Sequence, residues 1–372
     1  GIMEQQSGAN GWNTRMEAPA PKPGQVKLWA MQSIAHGADY VSFFRWRTCT
    51  KGTEIYWHGI LDYDNRDNRK LAEVREVWER VKAIGETAGA KYKAAVGMVR
   101  DYDNIWDAEA DKWHQRLAWP SEDEILYACQ VSHTPLDYVY LRECTSVEEL
   151  ARYRVLIYPH ALILTPERAE LLKAYAEQGG TLILGARTGQ KDLTGQCVMQ
   201  PMPGLLSGIS GSSVREFTFV GPADEKQSMN WDGESIETGI FSDILEASGE
   251  EAKILAGYEK DYCRGEGALV ENPCGKGRVL HFGGTFTRKN ADRFLSYTGV
   301  REPYRDQIGL PESCELAVKE KDGSRYFFVL NYAASAQRIL LKTAMTDMDD
   351  SAEAQGEILL APFETKVYKI NI

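Results

Sequence analysis

Carboxylates, aromatic rings and an imidazole concentrate in two short stretches near the start of this 372-residue sequence. In the first, GIMEQQSGANGWN, Glu4 ends a short apolar run and Trp12 follows a glycine-rich turn. The second is the stretch 45–66, whose polar and aromatic side chains include Arg45, Arg47, Glu54, Trp57, His58, Asp62 and Asp64. Aromatic rings stack on the apolar face of a pyranose, and carboxylates and imidazoles bind its hydroxyl groups. The two stretches together predict a sugar-binding site.

The elements around Glu4 decide between this interpretation and a simpler one. Taken alone, a glutamate so near the start of a chain is most often a solvated surface residue. Apolar Ile2 and Met3, however, resemble the end of a strand, and DYVSFFRWR (39–47) is predicted as a buried strand because it is short and rich in aromatic and β-branched residues. If both strands belong to one parallel sheet, their following loops open on the same edge, where α/β barrels carry catalytic groups.

Two predicted helices alternate with these strands. Residues 25–38 are predicted as a helix that ends at Gly37. Residues 69–88 show amphipathic spacing, and we expect that helix to pack through Leu71, Val74, Trp78 and Val81. The loops that carry Trp12, Glu54 and His58 have no such anchor, so we expect them to be mobile or to be ordered only by packing against a neighbouring chain. Strand, loop and helix in this order are typical of a parallel α/β structure.

The rest of the sequence divides into two regions. Strands are predicted at the start of 94–106 and in 153–164, 181–189 and 277–286. A helix is predicted over 165–180, with Thr165 as its N-cap and Pro166 at its first position. This alternation predicts a doubly wound α/β domain. From residue 312 onward, alternating strands around a DG turn predict a small all-β module.

Composition excludes several classes of function. The net charge of −11 argues against nucleic acid or an anionic membrane as a partner. The seven cysteines include no CxxC pair, so we expect reduced thiols in a cytoplasmic protein, with no metal and no cofactor. The sequence has no apolar run of 18 residues, so we expect no transmembrane helix. A nucleotide-binding function for residues 92–305 would need a phosphate loop, which the sequence lacks.

Three stretches carry a resemblance to a known family: MEQQSGANGWN, PKPGQVKLWAMQSIAHGADYVSFFRWR and GTEIYWHGILDYDNR. They closely resemble the last quarter of the catalytic barrel of glycoside hydrolase family 42, the β-galactosidases. The resemblance is specific over residues 1–75 and continues more loosely to the end of the sequence. It implies three domains: the C-terminal part of a (β/α)8 barrel (1–91), a flavodoxin-like α/β trimerisation domain (92–308) and a small all-β domain (309–372).

The resemblance also implies roles for individual residues. Glu4 matches the catalytic nucleophile at the end of barrel strand seven, and Trp12 matches a residue that stacks on the substrate. Glu54 and His58 match the pair that hydrogen-bonds the galactosyl hydroxyls, although one extra residue separates them compared with many members. Phe43 is expected to line the pocket, but the resemblance does not choose between it and Phe44.

One half of the expected chemistry has no match. A retaining glycosidase needs two carboxyl groups about 5–5.5 Å apart, a nucleophile and an acid/base. The resemblance places the acid/base on barrel strand four, which residues 1–91 do not include. We therefore expect retaining hydrolysis of terminal β-D-galactosides as the family activity, with this chain inactive alone, and a homotrimer as its assembly. The alternative is a non-catalytic oligomerisation and carbohydrate-associated module.

Overall fold

The computed structural model describes residues 1–11 and 17–372, which form two compact units. Unit 1 combines residues 1–93 with 304–372, and unit 2 contains residues 94–303. This grouping differs from the three predicted domains, because the first and last segments share one unit. The division into domains at 1–91, 92–308 and 309–372 stays a prediction.

The N-terminal part of unit 1 begins with a parallel strand pair. Its elements are β1 (Ile2–Gln6), β2 (Asn10–Gly11), β3 (Glu17–Ala18), α1 (Gln25–Ala35), β4 (Val41–Phe44), α2 (Arg69–Ala83) and β5 (Lys91–Tyr92). Strands β1 and β4 pair in parallel, as predicted. Strand β4 is shorter than the predicted 39–47 and only half buried, because among the described strands it pairs with β1 alone.

Both predicted helices of this segment are present, but the packing face of the second differs from the prediction. Helix α1 ends before Gly37, whose φ of 102° suits glycine. Helix α2 buries Leu71 and Val77, whereas Trp78 is 60% exposed and lies under the Lys82 ammonium group. The predicted packing through Trp78 is therefore wrong. Val77, one position earlier, faces the interior, and this shift is within the tolerance of a 3.6-residue period.

Unit 2 is an α/β structure around one mixed sheet. Its elements are β6 (Val96–Arg100), α3 (Tyr102–Ala110), α4 (Lys112–Val131), β7 (Leu136–Tyr140), α5 (Val147–Leu150), β8 (Val155–Tyr158), α6 (Pro166–Glu177), β9 (Thr181–Leu184), α7 (Ser207–Ser210), β10 (Ser212–Phe219), β11 (Ser228–Trp231), β12 (Glu234–Glu237), β13 (Phe241–Ala247), β14 (Lys253–Tyr258), β15 (Gly267–Cys274), β16 (Gly277–Phe282) and α8 (Arg288–Tyr297). Five parallel strands lie in the order β7-β6-β8-β9-β16, and antiparallel strands continue the sheet beyond β16. Numbered along the chain, the parallel order is 2-1-3-4-5, which is the order found in flavodoxin-like sheets.

Helices cover both faces of the parallel strands. Leu156 in β8 packs in one apolar cluster with Leu172 of α6, while its neighbour Ile157 packs in another with Ile125 of α4 and Phe294 of α8. Successive strand residues point to opposite faces, so a strand buried on both sides needs apolar residues in sequence. Helix α6 starts as predicted, because the Thr165 hydroxyl accepts a hydrogen bond from the Arg168 backbone amide. The α/β class predicted from the sequence is confirmed.

The C-terminal part of unit 1 is an antiparallel sheet. Its strands are β17 (Ile308–Gly309), β18 (Cys314–Lys321), β19 (Ser324–Asn331), β20 (Gln337–Asp347), β21 (Glu353–Leu360) and β22 (Thr365–Asn371). The predicted DG turn joins β18 to β19, and Asp322 and Gly323 both have the positive φ that a tight hairpin requires. Strand β5, from the N-terminal part, adds to this sheet beside β18.

Helix α1 packs against this sheet. Leu28 and Met31 are 1% and 0% exposed and share an apolar cluster with Phe328, Leu330 and Val367. The buried Lys319 donates from its ammonium group to the Ile34 carbonyl near the C-terminus of α1, where cations are favourable. The segment that carries the candidate site therefore shares a core with the C-terminal strands.

Candidate functional site

Glu4 lies at an irregularity of the parallel strand pair. The register runs from Ile2 opposite Val41 to Gln5 opposite Phe43, so Met3 and Glu4 together oppose the single residue Ser42. This is a β-bulge, a device that re-aims side chains and is frequent beside active sites. The Glu4 side chain is exposed, and its carboxylate makes no hydrogen bond or ion pair with another residue in the described part of the chain.

Backbone hydrogen bonds join the two polar loops that follow β1 and β4. The Gly11 amide donates to the Tyr56 carbonyl over 3.0 Å, and the His58 amide donates to the Ala9 carbonyl over 3.0 Å. The buried Ser7 hydroxyl donates to the Phe44 carbonyl over 2.8 Å. The expectation that the Glu54 and His58 loop lacks an anchor is therefore wrong, because the loop pairs directly with the chain that leaves β1.

His58 is connected to the N-terminus of α2 through Asp62 and Lys70. Its ring Nδ1 lies 3.5 Å from Asp62 Oδ1, and the Lys70 ammonium group donates to that same oxygen and to the Gly59 carbonyl, at 2.8 Å each. Asn68 caps α2 with its side-chain oxygen and donates from its side-chain nitrogen to the Ile60 carbonyl. The turn that presents His58 is thus tied to the first residues of a helix.

Glu54 is positioned by a neighbouring cation. The Arg45 guanidinium donates to Glu54 Oε2 over 2.6 Å and lies 4.5 Å above the Phe44 ring. The Trp57 ring meets Phe44 edge-on, with 6.3 Å between ring centres. Arg45 therefore fixes the Glu54 carboxylate on the side of the loop that carries Phe44 and Trp57.

The structure separates the two phenylalanines between which the sequence did not choose. Phe43 packs against the small apolar cluster of Ile60, Leu61 and Leu71, which faces α2. Phe44 lies instead with Trp57 and Arg45, on the side that carries Glu54. This placement favours Phe44 over Phe43 as a residue that lines the site, although the role of either stays a prediction.

The remaining site prediction falls on Trp12, which lies outside the described residues. Sequence reasoning missed the role of Lys70, which was treated only as part of an amphipathic helix. A lysine at the start of a helix, where cations are unfavourable, was the available signal, because such a residue needs a nearby acceptor to compensate. Here the compensation comes from Asp62 and the Gly59 carbonyl.

The arrangement as a whole can bind a neutral polyol. The loop that follows β4 offers one carboxylate held by arginine, one imidazole and an aromatic ring beside Phe44 of β4, while the Glu4 carboxylate lies on the neighbouring strand β1. In the described part of the chain, no three His, Cys, Asp or Glu side chains are grouped as a metal site would need. Within those same residues, no helix is both long enough and apolar enough to span a membrane.

Two family models match the chain. The model described as "Beta-galactosidase" matches residues 1–84, and the one described as "Beta-galactosidase trimerisation domain" matches residues 94–299. Among curated proteins, the β-galactosidase BgaA of Clostridium cellulovorans is 30% identical over 345 residues, which are 89% of this chain and 49% of that protein. LacZ of Heyndrickxia coagulans is 25% identical over 99% of this chain and 54% of its own length.

Solved structures share the fold. Gan42B, a GH42 β-galactosidase of G. stearothermophilus, superposes with a TM-score of 0.88 at 23% identity, covering 100% of this chain and 54% of that one. The β-galactosidase of the haloarchaeon Halorubrum lacusprofundi gives a TM-score of 0.83 at 25% identity, covering 100% of this chain and 53% of that one. This chain spans about half the length of the relatives it matches.

The fold and the family models place this chain in a class of proteins, the glycoside hydrolase families. The trimerisation-domain model alone covers more than half of the 372 residues, and the barrel model covers most of those before it. The chain belongs to glycoside hydrolase family 42, the β-galactosidases.

Proposed function

We propose that this chain supplies the nucleophile and part of the galactose-binding surface of a retaining β-galactosidase. The Glu4 carboxylate attacks the anomeric carbon of a terminal β-D-galactoside, and Glu54 and His58 hold the galactosyl hydroxyls. Trp12 supplies a ring face for the sugar, and Phe44 lines the site beneath the Arg45 guanidinium. The observation that carries this proposal is the parallel pairing of β1 with β4, which brings the Glu4 strand and the Glu54 loop to one edge.

We further propose that a polypeptide of these 372 residues alone does not hydrolyse unactivated galactosides. Departure of a sugar hydroxyl from the anomeric carbon needs a proton from a second carboxyl group about 5–5.5 Å from the nucleophile. Family resemblance places that group on barrel strand four, to which no part of residues 1–84 corresponds. Glu54 is a poor substitute, because one of its carboxylate oxygens already accepts a hydrogen bond from Arg45.

The proposed layout of the protein follows the same family. Residues 1–91 are the end of a (β/α)8 barrel, 92–308 a flavodoxin-like trimerisation domain and 309–372 a C-terminal β domain. The trimerisation-domain match over residues 94–299 supports self-association, for which we propose a trimer. All seven cysteines are free thiols, which supports a reducing, cytoplasmic location.

An activated substrate tests nucleophilic attack separately from protonation of the leaving group. In 2,4-dinitrophenyl 2-deoxy-2-fluoro-β-D-galactoside the leaving group departs without a proton, and the fluorine slows hydrolysis of the resulting glycosyl ester. We expect slow labelling of the purified chain by one fluorogalactosyl group, located by peptide mass spectrometry on Glu4. The Glu4→Gln variant should not be labelled, and Glu54→Gln should be labelled more slowly, because sugar binding weakens.

Three outcomes would contradict these proposals. Label on a different carboxylate would remove Glu4 from the nucleophile position. No label, together with no binding of galactose in a calorimetric titration, would favour the non-catalytic module instead. Rapid turnover of an alkyl β-galactoside would show that another residue of this chain supplies the proton.

A further inference from the structure

Strand β7 ends the parallel side of the sheet in unit 2. Its described partner is β6, in a register from Val96 opposite Leu136 to Arg100 opposite Tyr140, and its other edge has no strand beside it among the described residues. An open strand edge presents unpaired backbone amides and carbonyls, which native proteins normally protect or use for association. This edge is therefore a place to look for a partner.

Aromatic side chains gather around this open edge. Tyr138 and Tyr140 project from β7 on one face and are each 39% exposed. Tyr102 and Trp106, from the adjoining helix α3, are 56% and 60% exposed. We call these four residues the aromatic edge. A fully buried Tyr or Trp side chain covers roughly 150–250 Å². Because the four side chains are only 39–60% exposed, the surface that the aromatic edge still offers to a partner is about 400 Å².

Contacts within the aromatic edge make it one continuous surface. The Tyr102 ring lies 5.9 Å from the Tyr140 ring and 5.5 Å from the Trp106 ring, tilted by 31° and 38°. The Arg100 guanidinium lies 5.6 Å from the Tyr138 ring centre and donates to the Tyr140 hydroxyl over 3.3 Å. Arg100 is itself paired with Glu122 at 3.1 Å. The rings are therefore held in place before any partner binds.

This geometry suits a protein better than a sugar. A sugar-binding platform needs ring faces that are open to solvent, but here Tyr102, Trp106 and Tyr140 turn their faces toward one another, and Arg100 lies over Tyr138. Tyr, Trp and Arg are also the residue types enriched in protein interfaces and in their binding hot spots. The unpaired backbone groups of β7 add hydrogen-bonding capacity that only a polypeptide matches efficiently.

We propose that the aromatic edge is a contact surface for a second copy of this chain. This inference rests on the proposed self-association, which the trimerisation-domain match over residues 94–299 supports, and it names the surface used. A standard interface buries roughly 800 Å² per partner, so the aromatic edge supplies about half of one. In a closed trimer the contact is heterologous, so this surface meets a different face of the neighbouring copy.

Matched tyrosine variants test the proposal by sedimentation equilibrium of the whole chain. Tyr102 is 56% exposed on the aromatic edge, and Tyr262 is 57% exposed on the turn between β14 and β15. Strand β14 lies six strand positions from β7, about 30 Å across the sheet. We expect Tyr102→Ala to raise the dissociation constant at least tenfold, and Tyr140→Glu to raise it further, whereas Tyr262→Ala changes it less than twofold.

Each result is decisive once circular dichroism shows that the variants are folded. A wild-type chain that is monomeric at every concentration would refute both the proposed self-association and the aromatic edge. An oligomer whose dissociation constant is the same in Tyr102→Ala, Tyr140→Glu and Tyr262→Ala would leave self-association intact and refute the surface. Quenching of Trp fluorescence by galacto-oligosaccharides, lost in Trp106→Phe while association is kept, would assign the surface to sugar instead.

Discussion

Removal of the Leu28 side chain tests whether the candidate site and the C-terminal strands form one cooperative structure. Leu28 on α1 is 1% exposed and packs in the cluster that includes Phe328 and Leu330 of β19. Leu-to-Ala substitutions at buried positions cost about 2–5 kcal/mol, depending on how far the cavity collapses. We expect Leu28→Ala to lower the free energy of unfolding of unit 1 by about 3 kcal/mol, a large part of the ~5–15 kcal/mol typical of a domain.

Amide hydrogen exchange followed by mass spectrometry gives the readout. If the core is shared, exchange in β19 and in β1–β4 accelerates to the same degree in Leu28→Ala. Gln32→Ala, on the same helix but only half buried, should leave both segments within about 0.5 kcal/mol of the wild type. Faster exchange in residues 1–44 with unchanged protection of β19 would refute the reasoning, because it would show that the N-terminal segment unfolds on its own.

Two further predictions concern a glycine of the site and the buried histidines of unit 2. Gly8→Ala places a Cβ 2.8 Å from the His58 Cβ, so we expect weaker galactose binding by calorimetry, whereas Gly85→Ala, with no atom within 4 Å, should bind like the wild type. Burial lowers the pKa of His160 to about 3 and of His281 to about 4, below the usual ~6.5 of an unfolded chain. The unfolded state therefore binds more protons between pH 4 and 6.5, and we expect urea denaturation to show stability rising with pH across that window.

Two carboxyl groups whose pKa is raised by burial, Asp243 and Glu122, oppose the histidines. Burial raises the pKa of Asp243 to about 6, so this group alone makes stability fall between about pH 4 and 6. Burial also lowers the pKa of His114, so three histidines against two carboxyl groups leave a net positive slope. The His281→Gln variant should reduce that slope, since it removes one of the histidine protons, and a slope unchanged by the substitution would show that other groups control the pH dependence.

The sequence predicted correctly those elements whose ends carry a characteristic capping or turn residue. Thr165 and Pro166 located the start of α6, Gly37 the end of α1, and the Asp322-Gly323 pair the β18–β19 hairpin. Helix α4 was missed, because Pro120 lies inside its 20 residues and a proline normally argues against a helix interior. The edge strand β7 was missed as well, because its five residues, Leu-Asp-Tyr-Val-Tyr, are too few to show a clear strand pattern.

Tertiary contacts explain the rest of the difference between prediction and structure. The sequence indicated Glu4, Glu54 and His58, but not what holds them. Arg45 reaches Glu54 within one loop, whereas Lys70 reaches the Gly59 carbonyl from a helix whose register was misjudged by one position at Trp78. Such partners depend on where a helix starts relative to a loop, and no local pattern encodes that distance.

A series of side-chain contacts connects the site to residues that lie far from it in the sequence. His58 is tied to the start of α2, and Arg80 near the end of that helix pairs with Asp349 at 2.8 Å and donates to the Thr365 backbone carbonyl at the start of β22. Because two parallel strands alone leave most of their edges unpaired, this anchoring supports the strand pair from outside its own hydrogen bonds. The proposed galactose-binding residues should therefore respond to substitutions in residues 304–372, although none of those residues belongs to the proposed site.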